Sequence, residues 1–266
     1  MGIETGRQAR LERIGTAGRY VIVPMDHGIT LGAVDGLEAI ESTIDAVTRG
    51  GADSVLTQKG ISPRVHGNTN GAGYIVHLNG STVSGPDTND KRITGSVTDA
   101  IRRGGDAVSL HINVGSDHEP KQIEDLATIT EKAHQFGIPV LAMTYARGPG
   151  VDEHDPAALS HAVRLGEELG ADLVKTAYSG DSASFEQVCA ATALPVVIAG
   201  GAPDSDRESL AAVRGAMDAG AAGVSMGRTI FQHDDPAAIT RAVAGVVHDD
   251  LSAEAALEQA GLAIEA

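Results

Sequence analysis

Tryptophan is missing from this chain of 266 residues, and aromatic side chains make up only 3% of it. A core without large rings has to be filled by Val, Ile, Leu and Ala, which favours many short buried strands and helices over a few aromatic clusters. Cysteine is nearly as scarce. The lone Cys189 excludes an intrachain disulfide framework; it falls in a helical pattern and reads as a small buried apolar residue. Positive charge is short as well: 20 Lys and Arg stand against 36 Asp and Glu, for a net charge of −16 and a pI near 4.9. Such a surface repels phosphate backbones and anionic membranes, which argues against nucleic-acid and membrane roles. Excess acid, few lysines and small apolar side chains together indicate a salt-loving host, in which salt screens the repulsion. The plainer alternative is an ordinary acidic enzyme. No run reaches the ~18 apolar residues of a membrane span, and Met1 to Arg13 is polar and charged, unlike a leader. A soluble, cytoplasmic protein is expected.

What the chain does have is a recurring phrase. A helical stretch ends in Gly, a small or acidic residue follows, and an apolar strand begins. It occurs at Gly50-Gly51-Ala52-Asp53, Gly104-Gly105-Asp106, Gly170-Ala171-Asp172 and Gly220-Ala221-Ala222-Gly223, each with glycine where a helix C-terminus turns left-handed. Asp155-Pro156 and Asp235-Pro236 mark helix starts, an acid at N-cap with Pro at N1. Strands are expected near 20–25, 54–58, 74–78, 107–112, 139–144, 172–176, 195–199 and 223–226. Continuous Val/Ile/Leu strands alternating with helices imply a parallel sheet, and eight such units in this length favour an α/β fold of the (β/α)8 TIM-barrel class. One domain over 1–266 is expected, with a short helical tail at about 250–266. The weakest part of this reading is 61–90, rich in Gly, Asn and Ser, with strand three but little helix after it.

Lys175 is the first candidate for chemistry. The chain has five lysines against fifteen arginines, and this one sits inside the apolar run Leu173-Val174-Lys175-Thr176. Burial disfavours the charged amine, and a neutral amine attacks carbonyls to form a Schiff base; the bland alternative is a strand-end lysine that snorkels to water or pairs with an acid. In such a barrel the chemistry lies at the C-terminal strand ends, and these ends are polar: Asp26-His27-Gly28, Gln58-Lys59, His77, His111, Asn113, Tyr145-Ala146-Arg147, Lys175-Thr176, Gly200-Gly201 and Gly227-Arg228. Gly200, Gly201, Gly227 and Arg228, after strands seven and eight, form a candidate phosphate site, although tight packing also selects glycine. Two strings are decoys. Gly223-Val224-Ser225-Met226-Gly227 fits the G-x-S-x-G of hydrolases, but its serine falls inside a strand and not on an elbow after it. His27, His77 and His111 lie near strand ends without the close spacing of a metal site.

Taken in order, Val21-Ile22-Val23-Pro24-Met25-Asp26-His27-Gly28, Gln58-Lys59-Gly60-Ile61, His111-Ile112-Asn113-Val114-Gly115-Ser116-Asp117, Val174-Lys175-Thr176, Ala199-Gly200-Gly201 and Gly227-Arg228-Thr229-Ile230-Phe231-Gln232 resemble the archaeal class I aldolase family, over residues 10–248 or so. The opening motif and the His111–Asp117 stretch are similar to its transaldol synthase branch. The resemblance implies a class I aldolase barrel in which Lys175 forms the Schiff base, Tyr145 donates protons and Asp26 is the general acid/base. Substrate-binding segments would be Asp26, His27, Gly28, Ile29 and Thr30; Tyr145, Ala146 and Arg147; and Lys175, Thr176 and Ala177; phosphate would lie on Gly200, Gly201, Gly227 and Arg228. It implies no cofactor and no metal. The implied substrates are a phosphorylated keto-sugar and L-aspartate semialdehyde, in an alternative route to aromatic amino acids, and the implied assembly is a homo-oligomer, of ten subunits in the ring-based form. The rival within the family is fructose-bisphosphate aldolase; outside that mechanism stand a metal-dependent lyase built on His27, His77 and His111 and a non-catalytic phosphosugar-binding barrel.

Overall fold

Most barrel strands begin soon after a helix ends, and the residue at the joint decides how the strand is tied in. The computed structural model describes residues 2–201 and 205–263. Among them, eight strands close into a parallel barrel: β1 (Tyr20–Pro24), β2 (Ser54–Gln58), β3 (Gly73–His77), β4 (Ala107–Val114), β5 (Val140–Ala146), β6 (Leu173–Thr176), β7 (Val196–Ala199) and β8 (Gly223–Ser225). Neighbours in the ring are neighbours in sequence, with β8 paired to β1. The strands lie within two residues of the expected positions, since buried parallel strands carry a strong apolar signal.

The acidic residues of the recurring phrase have a shared job. The Asp53 carboxylate accepts the Val21 N–H at 2.7 Å, Asp106 that of Tyr74 at 3.0 Å, and Asp172 that of Val140 at 2.9 Å. Each therefore ties the first turn of its own strand to the start of the preceding one, at the N-terminal rim. Helix Gly2–Ile14 closes this rim. Its Arg7 pairs with Asp172 at 3.0 Å and Arg13 with Asp106 at 2.6 Å, while Ile14 packs with Ile22, Leu56 and Ile75 inside the barrel. At Gly73 the strand runs so close to this helix that a Cβ would stand 2.3 Å from the Arg13 carbonyl.

Two layers of apolar side chains follow from the two-residue period of the strands. Ile22, Leu56, Ile75, Leu141, Leu173 and Val197 fill the interior, while Val21, Val55, Val76, Val140, Val174 and Ile198 meet the surrounding helices. Those helices include Ile40–Arg49, Glu119–Gln135, Pro156–Glu168, Ser182–Ala190, Asp206–Asp218 and Pro236–His248. Asp155 and Asp235 cap theirs as expected, accepting the N–H of Ala158 and Ala238.

The stretch read least well adds a 3-10 turn (Lys59–Arg64) and a two-stranded antiparallel ribbon, Asn79–Gly80 with Arg92–Ile93, before helix Val97–Arg102. Its order comes from distant partners: Gln58 donates to the Asn79 carbonyl, Thr94 donates to Gln58, and the Asn79 amide brackets the backbone of His111. The expected tail contains helix Ala253–Ala260, capped by Ser252 and packed through buried Leu257 on the helices before it. Met1 and residues 264–266 lie outside the described residues.

Candidate active site

At the C-terminal end of the barrel the interior opens into a cavity of about 840 Å³. Lys175 reaches it because β6 alternates: Leu173 and Lys175 point inward, Val174 and Thr176 outward. The Lys175 side chain is 6% exposed, and its ammonium makes no hydrogen bond or ion pair with a described residue. Asp26, at the end of β1, shares the cavity. Its carboxylate lies 3.6 Å from His77 Nε2 and 3.8 Å from His27 Nδ1, and the far side of the His77 ring bonds Ser109 Oγ at 2.7 Å.

Burial on its own would raise the Asp26 carboxyl; the field of His77, His27 and Lys175 outweighs it and holds the group below its ordinary value. The imidazoles move down as well. Burial is the main cause at His27, His77 and His111, with Asp26 opposing it at the first two. A carboxylate held below its ordinary value, in contact with imidazoles that can take up or give up a proton, is equipped to pass protons.

Tyr145, from β5, places its ring over the cavity floor. The Arg147 guanidinium sits 4.3 Å above the ring centroid, and the His111 ring packs 4.8 Å away. Arg147 in turn donates to Glu153 at 2.8 Å. Across the cavity, Gly200, Gly201, Gly227 and Arg228 line the wall over β7 and β8. Glycine at 227 has a packing cause of its own: a Cβ would stand 2.5 Å from His27 and 2.7 Å from the Pro24 carbonyl. At Gly201 no described residue crowds the Cβ position.

Of the substrate- and phosphate-binding residues that the resemblance implies, Asp26, His27, Thr30, Tyr145, Arg147, Lys175, Ala177, Gly200, Gly201, Gly227 and Arg228 line this one cavity, together with His111. Four do not. Ala146 and Thr176 fall one residue out of phase with Tyr145 and Lys175, so the strand period turns them to the outer layer. Ile29 packs toward Gly80, and Gly28 opens the short helix Gly28–Leu31 without lining the wall. Ser225 lies within β8 and not on an elbow, its hydroxyl buried without a hydrogen-bond partner among the described residues. No group of three or more His, Cys, Asp and Glu side chains among the described residues could hold a metal ion. Asn113 proves to be internal scaffolding, its amide bonded to His111 Nε2 and the Asn89 carbonyl.

Sequence reasoning missed Lys91, which lines the same cavity from the ribbon between β3 and β4. The scarcity of lysine that drew attention to Lys175 applied to it equally; no strand pattern around it signalled burial. His154 and the Tyr178–Gly180 turn at the rim were also missed, because loops carry no periodicity.

Comparison with known proteins gives four likenesses. A family model described as DeoC/LacD family aldolase matches residues 20–233. The 2-amino-3,7-dideoxy-D-threo-hept-6-ulosonate synthase of Halobacterium salinarum is 64% identical over 263 residues, 99% of each chain, and synthase 1 of that name from Archaeoglobus fulgidus is 43% identical over 96% of each. Among solved structures, an archaeal fructose-1,6-bisphosphate aldolase with its catalytic Lys covalently bound to the carbinolamine intermediate superposes with a TM-score of 0.82, at 30% identity over 91% of this chain and 99% of that one.

Proposed function

The chain belongs to the DeoC/LacD aldolase family, and from that premise we propose that it is a lysine Schiff-base transaldolase. Its product is 2-amino-3,7-dideoxy-D-threo-hept-6-ulosonate, made from 6-deoxy-5-ketofructose 1-phosphate and L-aspartate semialdehyde. The step belongs early in an alternative route to 3-dehydroquinate and the aromatic amino acids. The observation that carries the reading is Lys175: a buried amine with no partner among the described residues, in one cavity with Asp26 and Tyr145.

Lys175 attacks the ketone next to the methyl group, and loss of water gives an iminium. That cation is an electron sink, so the C–C bond one carbon further along can break. Asp26 and Tyr145 move the protons: the carboxylate, directly or relayed through the phenol, takes the hydroxyl proton at bond cleavage, and the same pair returns a proton to the aldehyde oxygen of the acceptor when the new bond forms. The three-carbon aldehyde leaves with its phosphate against Gly200, Gly201, Gly227 and Arg228. The enamine remaining on Lys175 then adds to the aldehyde of L-aspartate semialdehyde, and hydrolysis frees the lysine. His77 and Ser109 orient Asp26, and Thr30 and Ala177 shape the wall. The same reading includes a homo-oligomer, testable by light scattering in high salt.

Borohydride trapping followed by peptide mapping tests this. The expected result is an adduct on Lys175 with 6-deoxy-5-ketofructose 1-phosphate and little with fructose 1,6-bisphosphate. An adduct formed with the bisphosphate alone moves the chain to the fructose-bisphosphate aldolase reaction, and no adduct with either removes the Schiff base.

A further inference from the structure

Lys91 is the second buried amine of the cavity, and the chemistry above leaves it without a task. Its side chain is 8% exposed. Its ammonium donates to Ser81 Oγ at 2.7 Å and has no carboxylate at ion-pair distance among the described residues. Burial first, and Arg147 next, disfavour its charge, with only partial compensation from Asp26 and Asp87. A buried cation beside a second cation is costly unless an anion arrives to share it.

The barrel order says where that anion would sit. Lys91 precedes the ribbon strand Arg92–Ile93 between β3 and β4, across the ring from β7 and β8, which carry the glycines and Arg228; Arg147 follows β5, the neighbour of β4 in the ring. The cavity thus has two cationic walls. The one at Lys91 and Arg147 also holds an acid, since Glu153 lines the cavity and accepts from Arg147 at 2.8 Å. Two cations and one carboxylate match an amino-acid head group, carboxylate to the cations and ammonium to the acid. A phosphate dianion would meet the same carboxylate unfavourably.

We propose that Lys91, together with Arg147, binds the α-carboxylate of the amino-acid aldehyde that accepts the Lys175 enamine, with Glu153 facing its ammonium group. Lys91 is then the residue that selects the acceptor in the second half of the reaction. The proposal rests on the Schiff-base reading and adds acceptor recognition to it.

The test is a ratio. Product formation is measured with L-aspartate semialdehyde and with 3-aminopropanal, the same acceptor without its carboxylate. The expected result for Lys91→Met is a loss of about 30- to 100-fold in kcat/KM for aspartate semialdehyde, far exceeding the loss for 3-aminopropanal, so the preference between them collapses. Lys91→Arg keeps the charge and restores most of the preference. A borohydride adduct on Lys175 at saturating keto-sugar phosphate still forms in Lys91→Met, which shows that the fold and the first half-reaction survive. An unchanged ratio overturns the proposal. So does an equal loss on both acceptors, or loss of the adduct in Lys91→Met, because either makes Lys91 structural or a donor residue. Absence of the Lys175 adduct in the unsubstituted protein is a separate failure: it sinks the Schiff-base reading and this one with it.

Discussion

At the scale of single residues, the cavity sorts its charges by environment. Lys175 stands without a partner among the described residues, Asp26 is held below its ordinary value, and burial lowers three imidazoles. Removing the amine removes the covalent step, so Lys175→Ala should lower kcat by about 10⁴-fold or more, with an unchanged circular dichroism spectrum. Measurable turnover in that variant would falsify the mechanism. The imidazoles also give stability a pH dependence. Their folded pKa values lie below the ordinary 6.5. Below that pH the unfolded chain takes up protons before the folded one does, so the stabilisation is complete above 6.5 and is lost as pH falls through the folded values. The denaturant midpoint at constant salt should therefore drop between pH 7.5 and 5.5. His111→Gln should flatten the slope by up to one proton, about 1.4 kcal/mol per pH unit; a slope equal to that of the parent would show that His111 titrates normally.

At the scale of elements, the two ends of the barrel divide the labour. The C-terminal ends of the strands hold the cavity, whereas Asp53, Asp106 and Asp172 tie the opposite rim together. Asp172 bonds the Val140 N–H, pairs with Arg7 and lies 3.4 Å from His134 Nε2. Asp172→Ala leaves these three groups without their acceptor and should cost about 3 kcal/mol of stability, read as a shift in denaturant midpoint. Its kcat and KM should stay within about twofold, because surface and rim changes remote from the site leave transition-state contacts intact. A large kinetic effect would mean that the rim is coupled to the cavity. These acids were visible in the sequence as a repeated phrase, but only as strand starts. Their bonding role needed the neighbouring strand, which lies some thirty residues away in the chain, as for Asp172 and Val140.

For the whole molecule, the net charge of −16 sets the conditions of stability. Repulsion among surface carboxylates reaches over a Debye length of about 10 Å at 0.1 M salt and about 3 Å at 1 M. Thermal stability should therefore rise steeply with potassium chloride between these limits, monitored by circular dichroism at fixed pH. Equal melting temperatures in dilute and concentrated salt would count against a salt-adapted surface. No helix among the described residues is long and apolar enough to cross a membrane.

The sequence by itself determined the barrel, its eight strands and the strand-end residues of the cavity wall, because parallel strands buried on both faces are written as continuous apolar runs and the polar residues at their ends stand out against them. It also picked out Lys175 by scarcity and setting. It did not determine which of two adjacent residues faces the cavity: Thr176 and Ala146 went with their neighbours until the strand period, fixed by the closed ring, turned them outward. Nor could it place Lys91. The segment around that residue has no period to read, and its conformation is set by bonds to Gln58, Ser81 and the β4 backbone. Local patterns specify elements, while the convergence of a loop cation on a strand lysine exists only once the ring has closed.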